Sequence, residues 1–192
     1  MQIQVNKKAL IVCAPSGAGK TSIVNYLLAG IPALSFSVSA CSRPKRETET
    51  EGKDYYFLSA DEFRSRIAAG DFVEWEEVYP GRFYGTLKSE LERIWKEGRI
   101  PCFDVDVKGG ISLKNYFGAN AFALYIRPPS LRVLEERLRN RGTETEESLG
   151  YRLSRIEFEM GFESRFDGTV VNDHLETACK QASEIIMKFL SE

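Results

Sequence analysis

Apolar and polar residues follow one another in blocks along this chain. Residues 8–13 (KALIVC) make a short, mostly apolar run of strand length, and residues 20–29 (KTSIVNYLLA) carry Ile23, Leu27 and Leu28 at helical spacing. The pattern predicts a strand, a tight loop and a helix. The cycle returns at 100–105 followed by 109–117, at 121–126 followed by 130–139, and at 169–172 followed by 174–190. Near-continuous apolar strands alternating with helices predict a parallel sheet with helices on both faces.

The stretch from about 36 to 85 breaks this rhythm. Its short runs FSVSA, YYFLS, FVEWEEV and RFYGT, with one short helix at 61–68, predict a small strand-rich insertion. A second polar segment, RNRGTETEESLGYRLSR (139–155), lies between the third and fourth cycles. Thr143 followed by Glu146 is a capping-box pattern, so one helix is expected to end near Arg141-Gly142 and another to begin soon after. The sequence holds no internal repeat and no low-complexity linker.

Composition narrows the class. With 192 residues, 43% hydrophobic and 28% charged, the chain can bury a core and is most simply one domain with inserted lobes. A formal net charge of -2 gives no broad basic field, so nucleic acid is not an expected partner. No run approaches the roughly 20 apolar residues needed to cross a bilayer, and MQIQVNKK leads into a strand without a signal-peptide profile. The expected location is the cytoplasm, without a membrane partner. Cys13, Cys41, Cys102 and Cys179 are scattered and form no CxxC pair, which reads as buried thiols. His174, the only histidine, reads as a surface or helix-start residue. Nothing in the sequence signals an oligomeric state.

Chemistry enters at APSGAGKT, between the first strand and the first helix. A phosphate-binding loop works because successive backbone N–H groups and a helix N-terminus surround phosphate oxygens, while a lysine reaches the transferring group and a hydroxyl holds magnesium. Gly17 and Gly19 permit the unusual turns, Lys20 supplies the ammonium and Thr21 the hydroxyl. The loop's usual first glycine is Ala14, which fits if its φ stays negative. The segment Ala14, Pro15, Ser16, Gly17, Ala18, Gly19, Lys20, Thr21 and Ser22 is therefore the candidate nucleoside-triphosphate site, a site that the resemblance given below assigns to ATP. In the insertion, Arg43 and Arg46 lie in the hydroxyl-rich run SFSVSACSRPKR, and Tyr55 and Tyr84 lie in short strands. Arginine forks and phenol hydroxyls suit a dianionic phosphate, although RPKRE alone reads as a solvated basic turn.

Taken in order, APSGAGKT, SVSACSRPKRETETEGKDYYF, FVEWEEV, RFYGT, FDVDVKG, RLRNRGTETEES and VVND resemble the guanylate kinase family over nearly the whole chain. The resemblance implies Mg2+-dependent phosphoryl transfer from ATP to GMP or dGMP. It implies an α/β fold: a P-loop parallel sheet core (1–35, 87–128 and 163–192), a strand-rich GMP-binding insertion (36–86) and a helical lid (129–162). Arg43, Arg46, Tyr55 and Tyr84 would hold the GMP phosphate, while Ser39, Glu74 and Thr86 would face guanine. An ionised Glu74 pairs with the N1–H and N2–H donors of guanine and repels the N1 acceptor of adenine, a discrimination that can reach the order of 10⁴. Read without the motif order, Glu74 is a solvated residue of an alternating strand.

On the donor side the resemblance makes Arg137, Arg141 and Arg152 lid residues that neutralise the transferring group and act with Lys20 and Arg43, and sets Asn172 near adenine. Helical spacing puts Arg137 and Arg141 on one face, an arrangement that a solvated, salt-bridged surface also produces. Asp104 and Asp106, two apart at a strand end, point to one side. Asp104 is the candidate Mg2+ residue beside Thr21, and Asp106 is either a guanosine contact or a helix cap. Two departures stand out: the family's TTR is CSR at 41–43, and the spacing from EW to YG is one residue longer, through YPGR. A scaffold that keeps the fold without catalysis is the alternative from another class.

Overall fold

The computed structural model describes residues 7–140 and 146–191. From the N-terminus, β1 (Ala9–Cys13), α1 (Lys20–Gly30) and β2 (Leu34–Phe36) lead into β3 (Ala40–Cys41), β4 (Tyr56–Phe57) and α2 (Ala60–Ala68). The hairpin β5 (Phe72–Tyr79) and β6 (Arg82–Leu87) runs straight into α3 (Lys88–Lys96). Then follow β7 (Ile100–Val105), α4 (Val107–Phe117), β8 (Ala121–Arg127), α5 (Leu131–Asn140), α6 (Glu146–Met160), β9 (Gly168–Val171) and α7 (Leu175–Ser191).

Five strands form a parallel sheet in the order β2-β7-β1-β8-β9. Every residue of the central β1 is fully buried, as expected where both faces are covered. Leu10 and Val12 point into a core built with Ile23 and Leu27 of α1 and Ile186 and Leu190 of α7. Ala9 and Ile11 point the other way, to Leu91 of α3 and Leu113 and Phe117 of α4. The expected helices on both faces are thus present. The four cysteines are buried and free, and His174 is exposed. Among the described residues no helix is long and apolar enough to cross a membrane.

The second sheet, in the order β4-β3-β6-β5, has its own small core of Ala40, Phe63, Phe72, Phe83 and Leu87. Phe63 and Phe72 stack with centroids 4.3 Å apart, a geometry worth roughly 1 kcal/mol beyond area burial. Ser59 caps α2 in a reciprocal box with Glu62.

Two local expectations need correction. FSVSA is not one strand: Leu34–Phe36 pairs with β7 in the large sheet, whereas Ala40–Cys41 pairs with β4 and β6 in the small one. The alternating run continues across the crossing, so periodicity cannot show where the chain changes sheets. Secondly, α3 is a full helix that the strand-based rhythm passed over, although Leu87, Leu91 and Ile94 carry helical spacing and are buried.

Candidate active site

The loop between β1 and α1 takes its shape from two residues. Gly17 and Gly19 both have φ of 87°, a region where a side chain is strained, while Ala14 is not among the residues of positive φ and is buried against the core. Ala14 therefore follows directly on the strand and leaves the turning to the glycines. Gly19 is the N-cap of α1 and offers no side-chain cap, and no acidic residue occupies the first turn. The leading N–H groups of α1 consequently face the loop without a side-chain partner at the cap, the arrangement that favours an anion.

Lys20 forms an ion pair with Asp104 Oδ1, and the Thr21 hydroxyl donates to Asp104 Oδ2 at 2.8 Å. Asp104 lies on β7, directly opposite Val12 in the register, which brings it to the mouth of the loop. Burial pulls the Lys20 ammonium down to about 8, an effect that the nearby Asp106 carboxylate opposes, so it stays protonated at neutral pH. On the far side, Asn172 Nδ2 donates to the Ala18 carbonyl at 2.7 Å, and Arg137 of α5 donates to the carbonyls of Asn172 and Asp173 at 3.1 and 3.3 Å. A Cβ on Gly19 would stand 2.3 Å from Asn172 Nδ2. Arg141 lies outside the described residues. Arg152 falls within α6, but its side chain lies outside them too.

Asp104 also lines a cavity of about 300 Å³ between the two sheets. Ser39, Tyr55, Glu74, Tyr84 and Asp106, all singled out from sequence, line it as well. Of its two readings, Asp106 takes the helix cap, its carboxylate accepting from Gly109 N–H at the start of α4 at 2.9 Å.

The β5–β6 register explains how the strand residues reach the cavity. Glu74 stands opposite Thr86 and Glu76 opposite Tyr84, so all four share one face. A shift between Phe72 and Glu74 inserts Val73 as an extra residue, which lets Phe72 join the small core while Glu74 turns to the cavity. A second shift between Glu77 and Tyr79 takes in Val78 as an extra residue before the turn at Gly81. Thr86, fully buried behind the cavity, donates to Glu74 Oε1 at 2.8 Å. Burial raises the Glu74 carboxyl to about 7, with the charges of Asp106 and Glu76 adding and the Thr86 hydrogen bond opposing.

The arginines are placed differently. Arg43 lies 5.0 Å from the centroid of the Tyr55 ring and makes a two-pronged contact with Glu49, at 2.7 and 2.5 Å. That pairing draws the Glu49 carboxyl down to about 2. Arg46 is exposed, and its backbone N–H donates to the same Glu49 at 2.9 Å. Of the sequence departures, Ser42 Oγ accepts from Phe83 N–H and donates to the Gly81 carbonyl, tying β3 to the hairpin. Cys41 is buried, with its thiol 3.9 Å from the Arg43 carbonyl.

Glu49 and Glu76 were not singled out from sequence. Glu76 had a readable signal, its two-residue spacing from Glu74 on an alternating strand. It reaches Lys108 of α4 at 3.1 Å and so bridges the two sheets at the cavity rim.

A family model for guanylate kinase matches residues 6–189. A guanylate kinase of Bacteroides fragilis is 49% identical over 183 residues, covering 95% of this chain and 90% of that protein. One of Salinibacter ruber is 48% identical over 186 residues, covering 97% and 98%. Among solved structures, a guanylate kinase from Anaplasma phagocytophilum matches with a TM-score of 0.76 at 27% identity, over 99% of this chain and 89% of that one. With this fold, this loop and a family match across nearly its whole length, the chain belongs to the guanylate kinase family.

Proposed function

We propose that the chain transfers the terminal phosphoryl group of ATP to GMP, and to dGMP, with Mg2+, giving ADP and GDP or dGDP. The observation that carries this reading is the Glu74 carboxyl, held by a hydrogen bond from Thr86 in the same cavity as Asp104, the residue that accepts from Thr21 of the phosphate loop. Guanine offers two adjacent N–H donors to a carboxylate, whereas adenine offers an acceptor there. Binding guanine also stabilises the ionised form of a carboxyl that burial holds near 7.

No general base is required. The nucleophile is a phosphate oxygen of GMP, already mostly ionised because its second pKa is about 6. A bond forms between that oxygen and the γ-phosphorus, and the bond from this phosphorus to the bridging oxygen of ADP breaks. The chain contributes alignment and charge cancellation. Lys20 exchanges Asp104 for the ATP phosphates; Arg43, Arg46, Tyr55 and Tyr84 hold the GMP phosphate; Arg137, Arg141 and Arg152 close from the lid at 129–162 as the insertion at 36–86 closes from the other side. Thr21 hydroxyl and Asp104 carboxylate form an oxygen donor pair suited to a hard cation, and Mg2+ held there would offset phosphate charge. Asn172 supports the loop at Ala18, on the side where adenine is expected. The expected compartment is the cytoplasm.

The test is an ATP-consumption assay with GMP, dGMP, AMP, UMP and ribose phosphates offered separately. GMP and dGMP are expected to dominate turnover, and equal or greater turnover with another acceptor overturns the guanine assignment. GMP binding without turnover on any acceptor would instead support a scaffold role.

A further inference from the structure

The chain passes between the two sheets twice, first through residues 37–39 between β2 and β3, and again where β6 runs into α3. The carboxylate of Glu90, in the first turn of α3, lies between these crossings, and its side chain is fully buried. It accepts from the Val38 N–H at 3.0 Å, the Tyr56 hydroxyl at 2.8 Å, and the Arg93 Nε and Nη2 at 2.9 and 2.8 Å. A buried carboxylate is costly unless its oxygens are satisfied, and four donors from three segments satisfy it here. Arg93, partly exposed, supplies the opposite charge and continues to Glu97 at 2.7 Å.

The residues that Glu90 holds are neighbours of the cavity. Val38 precedes Ser39, and Tyr56 follows Tyr55; both Ser39 and Tyr55 line the site. The Tyr56 N–H further donates to the Ser39 carbonyl at 2.9 Å, so the two segments are fixed to each other as well as to Glu90. Because α3 starts directly after β6, the same carboxylate is four residues from Thr86, the hydroxyl that holds Glu74. We propose that Glu90 is a positioning residue for GMP: through Val38 and Tyr56 it sets Ser39 and Tyr55 at a fixed distance from Glu74 without touching the nucleotide. The inference rests on reading the cavity as the GMP site.

Two variants test it, with KM measured separately for GMP and ATP. Tyr56→Phe removes one donor and keeps the ring, so the fold is retained; it is expected to raise the KM for GMP about fivefold, with kcat within about twofold and the KM for ATP unchanged. Glu90→Gln puts an amide donor against groups that themselves donate, and is expected to raise the KM for GMP about tenfold or more. Because both changes act on one bond, adding Tyr56→Phe to Glu90→Gln should cost less than about a further twofold. Unchanged KM for GMP in Tyr56→Phe, equal changes for both substrates, or fully additive effects would overturn the proposal while leaving the GMP site standing. A wild-type chain that turns over ATP with other acceptors but not with GMP overturns the site reading and this inference with it.

Discussion

The two halves of the site are made by opposite means. The half proposed for ATP is one continuous loop in which backbone N–H groups and the start of α1 would form the binding surface, with two glycines and one lysine fixing its properties. The half proposed for GMP is assembled from side chains of separate segments, Ser39, Tyr55, Glu74 and Tyr84, together with Asp104 and Asp106 at the C-terminal end of β7. A surface built from backbone tolerates change wherever a residue neither turns the chain nor reaches the phosphate. One built from side chains depends on register, because a slip of one position along β5 would turn Glu74 away from the cavity.

Lys20 is where the backbone-built half depends on a single side chain. Lys20→Ala is expected to lower kcat by about 10³-fold or more, with circular dichroism and thermal unfolding close to wild type; a loss under tenfold would remove this loop from the mechanism. In the side-chain half, Glu74→Gln should lower kcat/KM for GMP by about 10²-fold and narrow the preference over other monophosphates. Acidity supplies a second readout. Burial holds Glu74 near 7 and the proposed guanine contact needs the carboxylate, so the KM for GMP should fall as pH rises through about 7 in the wild type and stay flat in the variant. The stability effect runs the other way. A folded carboxyl raised from 4.5 to about 7 retains a proton that the unfolded chain has lost, so the ligand-free protein should lose stability between those pH values and level off above. Melting temperatures of wild type and Glu74→Gln across that window measure the difference.

Ala14→Gly probes the tolerance of the loop. Because Ala14 does not make the turn, turnover should change by less than about tenfold, or roughly 1.4 kcal/mol; a larger gain would show that the alanine damages the site. The smallest effect belongs to the rim bridge between Glu76 and Lys108, whose lysine is 63% exposed. Lys108→Gln should shift the KM for GMP by about twofold, weaken its dependence on salt and leave ATP unaffected. A shift beyond about tenfold would mean that the bridge holds the two sheets together more firmly than an exposed pair can.

The same contrast governs what could be read before the structure. Buried parallel strands announce themselves as apolar runs, and the loop is contiguous, so the large sheet and the glycine-rich turn before α1 were legible. The residues that line the cavity were legible as types in order, but the construction of the cavity was not. Val73 and Val78 look like any strand valines, and only pairing with β6 reveals them as inserted residues. Glu90 in KSELERIWK resembles a solvated helix glutamate, since its donors at Val38 and Tyr56 are 52 and 34 positions away in sequence. The pairing of Arg43 with Glu49 was similarly hidden in a run of alternating charges, where any of several acids could serve.

The small sheet is inserted once into the chain, so it is tethered at two points, residues 37–39 and the junction of Leu87 with Lys88. Neither tether has length to spare: the first is three residues and the second a single peptide bond. A body held at two nearby points cannot translate or twist freely; one rotational degree of freedom remains, about the line through the tethers. Any closing of the proposed GMP side onto the phosphate loop would therefore be a swing along a single arc, with displacement proportional to distance from that axis.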